Sequence, residues 1–532
     1  MELPLKLGIG ELNKIKSHVN RKRPGLIAII ILFTLLGCNF PIAFSGGGSS
    51  DPVSPPGTNS VVNPTLPVVA TTPPVPISAG FSTSTQAPTL NPETPLPPSM
   101  YYTQSGDTLE NICARFGVTP EEITSTDPVQ AGVYLRPGQL LFIPTRLVNT
   151  TQTTLLMPDS EVVYSPTSIG FDLDGFVRQA GGYLSTYSEY LAIGTRSGSM
   201  IIQRVAQENS VSPRLLLALL EYQSGWVFGQ PATLAEEQYP LGMVDNTHKG
   251  LYKQLNWAVK QIFAGYYGWR AGSLHNLTFS DGSTLAIAPQ VNAGTVAVQT
   301  FFSRVYSQRE WGGILYAPGG FPDLYQGMFD SPWIRAQAYE PFFPEGLTQP
   351  TLDLPFNPGK TWSFTGGPHA AWASGSPIAA LDFAPGSDIS GCVETYEWVT
   401  ASASGLVVRS ENGVVILDLD GDGYEQTGWV ILYLHIAEKG RAPVGSLLNV
   451  GEIIGHPSCE GGSATGTHVH IARKYNGELI PVDSPLPFVL SGWQAHLGAR
   501  EYLGTLTRDG QTVTASQYGS FETRIMNDVY QP

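Results

Sequence analysis

The chain has 532 residues, of which 42% are hydrophobic and only 14% are charged, and its formal net charge is −15. The low charged fraction argues against a coiled coil or a charged disordered protein, and the negative balance argues against a nucleic-acid partner, because little would neutralise the phosphates. Four cysteines in this length exclude a fold built on disulfides. The length allows about three or four domains, and the patterns along the chain predict a multidomain protein.

Residues 1–38 have the pattern of a bacterial export signal. A basic segment that ends at Arg23 precedes a charge-free run of 13 residues, Gly25 to Gly37. A membrane-spanning helix needs about 20 apolar residues, so this shorter run is typical of a signal-peptide core. The run leads into LLGC, which resembles a lipobox and implies cleavage before Cys38 and a lipid on its sulfur that anchors the protein to the membrane. An uncleaved anchor and an ordinary signal peptide are the alternatives, and all three place the rest of the chain outside the cytoplasm, in the cell envelope.

Residues 39–100 are predicted to be a linker. Between Asp51 and Met100 there are 13 prolines and only two charged residues. Proline fixes φ and removes a backbone donor, so neither a helix nor a sheet ladder is expected. We expect a disordered, extended spacer that lets an anchored protein reach into the cell wall.

Residues 101–145 predict a small βααβ domain. Asp107 or Thr108 can cap a first helix, and Pro120 begins a second one that Glu122 closes with a capping box. This order, with the phrases SGDTL and LRPGQLLFIP, resembles a LysM domain, a family that binds N-acetylglucosamine-containing glycans such as peptidoglycan. The resemblance places the glycan on two loops, of which the second is residues 128–134. The glycan-binding residues that it implies in the first loop are Ser105, Gly106, Asp107 and Thr108.

Residues 146–345 predict a mainly helical domain that is rich in aromatic side chains. Ser212 can cap a helix that begins at Pro213. The phrases SVSPRLLLALLEYQSGW and VNAGTVAVQTFF faintly resemble lysozyme-like transglycosylases, in which such a helix ends in a catalytic glutamate. Here that residue is Gln223, whose amide cannot transfer the proton that glycosidic cleavage needs. Glu221 lies about 200° away around the helix and cannot replace it. We expect a degenerate glycan-binding or spacing domain or an unrelated helical domain, with an active glycosidase as a third alternative.

Candidate metal ligands are concentrated near the C-terminus, where six of the nine histidines lie beyond residue 365. His468 and His470 alternate in a predicted strand, so both side chains project from one face, and paired imidazoles on a strand commonly bind a metal. Asp382 interrupts an apolar strand, and a buried carboxylate is costly unless it is paired or bound to a cation. His435 directly follows the predicted strand WVILYL, and His369 precedes Asp382 by 13 residues.

A family resemblance covers this region. The phrases SGLVV, YLH and VGSLLNVGEIIGHPSCEGGSATGTHVHI resemble the lysostaphin/LytM-type zinc metallopeptidases, which cut peptide bonds of peptidoglycan on a mostly antiparallel β fold. The resemblance implies a Zn2+-dependent peptidase domain at residues 346–490, followed by a C-terminal extension at residues 491–532.

The same resemblance assigns roles to the residues that match the family's motifs. It makes His470 and Asp382 zinc ligands, His468 the general base and His435 the group that stabilises the transition state. Four residues before Asp382 the family has a third histidine ligand, whereas this chain has Ile378. We therefore expect His369 to be the third ligand, brought back by the loop that follows it.

Two weaker patterns lie in the same region. The sequence from Asp418 to Asp422 resembles the start of a calcium loop, but strands flank it and its twelfth position is Trp429 rather than glutamate. A hairpin turn is favoured, with calcium as the alternative. Cys392 and Cys459 both fall in loops, and in an oxidising compartment they are expected to form a disulfide.

The sequence therefore predicts a cell-wall-associated zinc metallopeptidase that hydrolyses peptidoglycan and is targeted by a LysM domain. The alternative is an inactive scaffold or activator that binds peptidoglycan, and a glycosidase acting through the middle domain is the third possibility.

Overall fold

The computed structural model describes residues 96–372, 375, 377–387 and 389–528. The predicted signal segment with Cys38, and the predicted linker up to residue 95, lie outside these residues. In the described part of the chain, no helix has both the length and the apolar character needed to pass through a bilayer.

The first folded region has the predicted order of elements, with its second helix reduced to a single 3-10 turn. Its elements are β1 (Ser99–Tyr102), α1 (Leu109–Phe116), the 3-10 turn (Pro120–Glu122), β2 (Thr124–Ser125) and β3 (Leu140–Ile143), with the strands in the order β1-β3-β2. Thr108, and not Asp107, caps α1, because its hydroxyl accepts from the backbone N–H of Asn111 at 3.1 Å. Asp107 instead accepts from the hydroxyl of Tyr101 and forms a buried ion pair with Arg115.

The middle region is mainly helical, as predicted. Its elements are α2 (Leu173–Ala180), β4 (Ser188–Leu191), β5 (Gly194–Ser197), α3 (Gly198–Asn209), α4 (Pro213–Ser224), α5 (Leu234–Gln238), α6 (Leu251–Arg270), β6 (Asn276–Thr278), β7 (Thr284–Ala286), α7 (Ala293–Val305), α8 (Gln308–Tyr316), α9 (Phe321–Phe329) and α10 (Pro332–Gln337). The predicted start of α4 is present, since the Ser212 hydroxyl accepts from the backbone of Leu215 and Pro213 occupies the first position. The hairpin β4–β5 leads directly into α3.

The C-terminal region is built from antiparallel sheets. Its strands are β8 (Thr361–Ala370), β9 (Ile378–Pro385), β10 (Val399–Thr400), β11 (Gly405–Glu411), β12 (Val414–Asp418), β13 (Trp429–Leu434), β14 (Leu447–Leu448), β15 (Ile453–Gly455), β16 (Val469–Tyr475), β17 (Glu478–Leu479), β18 (Val489–Leu490), β19 (Trp493–Leu497), β20 (Gly504–Arg508), β21 (Gln511–Thr514) and β22 (Arg524–Met526). The large sheet has the order β14-β11-β12-β13-β16-β9-β8-β22, with β17 paired to β16, and a second sheet has the order β18-β19-β20-β21.

The residues after 490, which the sequence suggests form an extension, belong to this β region. Strands β19 to β21 complete the second sheet, and β22 returns to pair with β8 at the edge of the large sheet. Leu506, Val513 and Ile525 are buried in the same core as the large sheet. These apolar side chains gain by packing under the sheet, so the chain continues the domain instead of leaving it.

The large sheet is buried on both faces. Ile416 and Leu432 share a core with the helical region, whereas the alternate residues Val415 and Ile431 face a second core that includes the smaller sheet. Strands buried on both faces are apolar along their whole length. This explains why the segments VVILD and WVILYL show no alternation of polar and apolar residues.

Arg270, at the end of α6, connects the three regions. Its Nη2 atom lies 3.1 Å from the Asp159 carboxylate in the middle region and 3.0 Å from that of Glu478 in the β region. Its Nη1 atom donates to the backbone carbonyl of Ser105 in the first region. A side chain at position 106 would collide with this guanidinium, so Gly106 is needed for the approach. One buried cation therefore holds all three regions in contact.

Replacing Arg270 with alanine tests this role. The carboxylates of Asp159 and Glu478 would stay buried without their shared cation, and such a loss costs about 3–5 kcal/mol. We expect a clearly lower melting temperature in calorimetry. Arg178→Ala is the control, because Arg178 forms a largely exposed pair with Asp174 and its loss should change stability little. Equal melting temperatures for the Arg270 variant and the unmodified protein would show that the cluster does not hold the regions together.

Candidate metal centre

Three neighbouring strands bring the predicted ligands together. Strand β9 lies between β16 and β8, and in its register Asp382 stands opposite His470 on one side and Gly366 on the other. The pairing of β8 with β9 shifts between Gly366 and His369, so that His369 stands opposite Ala380. Between these two pairs β8 advances by three residues and β9 by only two, so β8 contains one extra residue. Residues opposite each other in a sheet share a face, and Ala380 shares a face with Asp382 because it is two positions away. The irregularity therefore turns His369 to the face of Asp382.

The three predicted ligand atoms converge. Nε2 of His369 and Nδ1 of His470 lie 3.3 and 3.2 Å from Oδ1 of Asp382, and 3.0 Å from each other. All three residues are buried. Two imidazole nitrogens and one carboxylate oxygen from distant parts of the sequence thus surround a single point.

Backbone carbonyls fix the tautomers of the two histidines. Nδ1–H of His369 donates to the carbonyl of Gly367 at 2.8 Å, and Nε2–H of His470 donates to the carbonyl of Ala371 at 2.9 Å. A carbonyl oxygen can only accept, so the proton of each neutral ring lies on that nitrogen. The lone pair of the other nitrogen then points at Asp382. In metal sites, a hydrogen bond of this kind from the ring nitrogen that does not bind the metal orients the histidine ligand.

The carboxylate of Asp382 fits a cation. Its Oδ1 atom is buried and accepts no well-aligned hydrogen bond from the described residues. Burial by itself would raise the pKa of Asp382, but the adjacent His369 and His470 hold that pKa well below its ordinary value. Burial lowers the pKa of His369, but the Asp382 carboxylate, the Gly367 carbonyl and Glu501 together reverse this effect, so that the pKa stands above its ordinary value. Burial lowers the pKa of His470, which keeps that ring neutral and able to bind a metal. Two imidazole nitrogens with one carboxylate oxygen are a typical donor set for catalytic zinc.

His468 and His435 lie beside these three residues. The Nε2 atom of His468 lies 3.8 Å from Oδ1 of Asp382, and the Nδ1–H group of His468 donates to the carbonyl of Gly466 at 2.8 Å. The His435 ring is 4.4 Å from the His468 ring, centroid to centroid. The strand alternation that predicts a shared face for His468 and His470 agrees with this arrangement.

The structure changes the expectation for His435. Its Nδ1–H donates to the carbonyl of Glu460 at 2.8 Å, so Nε2 of the neutral ring can only accept a hydrogen bond. Burial, and then the neighbouring His468 and His470, lower the pKa of His435 to about 3. A group that stabilises an oxyanion must donate, and neutral His435 cannot donate from Nε2. Its role in the transition state would therefore need a protonated ring.

These histidines line a cleft of about 1050 Å³. One wall of the cleft comes from the helical region, through residues that include Arg204, Glu208 and Tyr252. None of these three residues stands out in the sequence as a candidate site residue. They lie on α3 and α6, and no local pattern indicates that two separate helices face the metal ligands.

The predicted glycan-binding loop is covered. Ser105, Gly106, Asp107 and Thr108 are all buried, and the loop contacts Arg270. The second predicted glycan loop, residues 128–134, is mostly exposed, and only its last residue, Tyr134, stacks on Phe343 with ring centroids 5.3 Å apart. The assignment of these residues to glycan binding stays a prediction, and in this structure another part of the chain covers the first loop.

The remaining predicted features lie outside the cluster. Cys392 and Cys459 form a disulfide, with Cα atoms 5.8 Å apart. Asp418 is the last residue of β12 in the hairpin β12–β13, and its carboxylate accepts from the backbone N–H groups of Gly421 and Gly423 in the turn. Asp418, Asp420 and Asp422 lie close enough together to hold a cation, but the hydrogen bonds of the turn account for the buried carboxylate.

The middle region uses its two candidate acid–base residues for structure. The Oε1 atom of Gln223 accepts from the hydroxyl of Tyr306 at 2.8 Å. The Glu221 carboxylate accepts from the backbone N–H groups of Val227 and Phe228 at 3.0 and 3.1 Å. These contacts add to the sequence argument against a glycosidase in this region.

Two solved structures and two curated proteins resemble the chain. The M23 metalloprotease pseudoalterin is 24% identical, with a TM-score of 0.27, over 31% of this chain and 96% of that one. The catalytic domain of lysostaphin from Staphylococcus simulans is 22% identical, with a TM-score of 0.16, over 23% and 88%. Protease LasA of Pseudomonas aeruginosa is 25% identical over 355 residues, which are 61% of this chain and 75% of LasA. A beta-lytic metalloendopeptidase of Achromobacter lyticus is 28% identical over 213 residues, which are 38% and 50%.

Two families match defined parts of the chain. The LysM domain family matches residues 101–144, which confirms the LysM prediction. The family described as LasA, N-terminal domain, matches residues 155–341, within the predicted helical domain, whereas the resemblance of that domain to transglycosylases stays a prediction. The chain therefore combines a LysM domain with a LasA N-terminal domain, and the two curated proteins that resemble it are a protease and a metalloendopeptidase.

Proposed function

We propose that this protein is a zinc-dependent endopeptidase that hydrolyses peptide bonds of peptidoglycan. The observation that carries the proposal is the convergence of His369, Asp382 and His470 on one buried point, with His435 and His468 beside it in an open cleft. Three protein ligands leave a coordination position for water or substrate, which is the arrangement of catalytic rather than structural zinc sites.

The roles of the side chains follow from their protonation. His369, Asp382 and His470 would hold the ion, and zinc bound there would polarise the scissile carbonyl and lower the pKa of the attacking water. His468 presents the lone pair of Nε2 to the cluster, so it takes the water proton and passes it to the leaving amine. Neutral His435 presents the lone pair of Nε2 and would accept a hydrogen bond from the attacking water, which orients that water beside His468.

The inactive scaffold is the alternative function. The observation that favours it is Ile378, which occupies the position of the family's usual histidine ligand. His369 compensates for this change, because its Nε2 atom lies 3.3 Å from Oδ1 of Asp382 and 3.0 Å from Nδ1 of His470. All five polar side chains that the reaction needs are then present, and we therefore favour the enzyme.

Peptidoglycan is the proposed partner on two counts. The LysM domain suggests affinity for its glycan, and the M23-type homologues suggest its peptides as the substrate. These features support a location outside the cell or in its wall, and a lipid on Cys38 would tether the protein to the membrane.

Variants of the histidines test the metal site. His470→Ala removes a ligand and should lose most of the bound zinc, measured by mass spectrometry of the desalted protein. His468→Ala should keep the zinc and lose at least about a hundredfold in kcat, as expected for a missing acid–base group. His456→Ala is the matched control, since this histidine of the same region also donates Nδ1–H to a carbonyl but stacks on Trp398, outside the cluster. Normal zinc content in His470→Ala would show that the assigned ligand set is wrong.

Digestion of purified peptidoglycan distinguishes the three functions. We expect new free amines that disappear when a chelator removes the metal and return when zinc is added back. Reducing or anhydro sugar ends would identify a glycosidase instead. Binding to the wall without any new chain ends would identify the scaffold.

The covered first LysM loop, residues 105–108, gives a further expectation about glycan binding. If Ser105 to Thr108 bind glycan, the contact with Arg270 must open first, because these residues are buried in it. Arg270→Ala should then bind insoluble chitin more strongly than the unmodified protein in a sedimentation assay, with Arg178→Ala as control. Equal binding by all three proteins would show that glycan binding, where present, uses another surface of the LysM domain.

A further inference from the structure

The cleft that contains the metal ligands has a single basic residue other than histidine. Of the described residues that line it, Arg204 is the only arginine or lysine. The acidic residues of the lining are Glu208, Asp382 and Glu460. An anionic group that enters the cleft therefore has one cationic side chain to meet, apart from the metal ligands themselves.

Arg204 is held in place by its neighbours. Its Nε–H donates to Oε1 of Glu208 at 2.6 Å, one turn further along α3. The hydroxyl of Tyr252 on α6 donates to Oε2 of the same carboxylate at 2.8 Å. The guanidinium also lies over the Tyr252 ring, 5.0 Å from its centre. The two contacts on Glu208 and the stacking restrict the Arg204 side chain, so little conformational entropy remains to be lost when a ligand binds.

The contact with Glu208 leaves part of the guanidinium available. Only Nε donates to Glu208, and within the described part of the chain neither terminal amino group of Arg204 has an acceptor. The side chain remains 23% exposed, and it lines the cleft. Two parallel N–H groups on one edge match the two oxygens of a carboxylate, which is the preferred geometry for arginine.

We propose that Arg204 is a substrate-binding residue that binds a carboxylate of the peptide by donating hydrogen bonds to it. The helical region would then contribute to the specificity of the peptidase cleft. This inference rests on the proposed function, since it names a chemical feature of the same substrate. It assigns a part in substrate recognition to the LasA N-terminal domain. Glu208 and Tyr252 are positioning residues for the guanidinium.

Paired peptides test the inference. Peptides released from purified peptidoglycan are labelled with a fluorophore and used either with free carboxylates or after conversion of the carboxylates to carboxamides. Arg204→Gln should raise KM for the free-carboxylate peptides about tenfold, the low end for a lost charged hydrogen bond, and leave kcat nearly unchanged. The amidated peptides should show no difference between Arg204→Gln and the unmodified protein. Arg204→Lys should be intermediate, because it keeps the charge but loses the planar fork.

Controls separate this inference from the proposed function. Arg178→Gln removes an arginine that also pairs with an acidic residue one helical turn away, but outside the cleft, and it should change neither constant. Zinc content and circular dichroism should match across all variants. Fluorescence anisotropy measures binding of both peptide forms independently of turnover. If nothing is cleaved but the unmodified protein prefers the free carboxylates and Arg204→Gln does not, the proposed function fails and the carboxylate site stands. If Arg204→Gln affects both peptide forms alike, or neither, the carboxylate site is wrong.

Discussion

The arrangement of the candidate site depends on one buried carboxylate, that of Asp382, in the middle of the otherwise apolar strand β9. Burial on both faces of the sheet keeps this group away from bulk water, so its charge must be balanced locally. A cation held jointly by Asp382, His369 and His470 would supply that balance, and each histidine is oriented for it by a backbone carbonyl on its far side. The same crowding excludes any side chain at Gly366, where a Cβ atom would collide with the Asp382 carboxylate. Strand pairing, ring orientation and residue choice at this point therefore serve a single electrostatic requirement.

The helical region is part of this arrangement and not a separate module. Its side chains cover one face of the large sheet, and they also form a wall of the cleft. Arg270 extends the connection to the LysM domain through the backbone of Ser105. The chain thus covers its own first LysM loop, at residues 105–108, where a glycan is expected. Whether a module can act depends on what covers it, and family membership does not provide that information.

The sequence by itself determined the local elements and the identity of the reactive side chains. Caps and strand ends depend on residues a few positions apart, so the start of α4 at Pro213 and the strand Trp429–Leu434 follow from local patterns. Strand alternation also predicted that His468 and His470 project from the same face, and that Asp382 projects from the face opposite to its apolar neighbours Leu381 and Phe383. The family phrases added the identity of the LysM domain. These inferences succeed because backbone geometry and side-chain periodicity act over short distances along the chain.

Only the tertiary structure decided how these pieces meet. The face of His369 is set by one extra residue in the pairing of β8 with β9, and a shift of one residue reverses every side chain of a strand. The hydrogen bond from His435 to the carbonyl of Glu460, the return of β22 to the large sheet and the place of Arg204 in the cleft are likewise contacts between distant segments. Such contacts form because burial and charge pairing favour them once the chain is compact. A linear pattern does not record which distant group will be the partner.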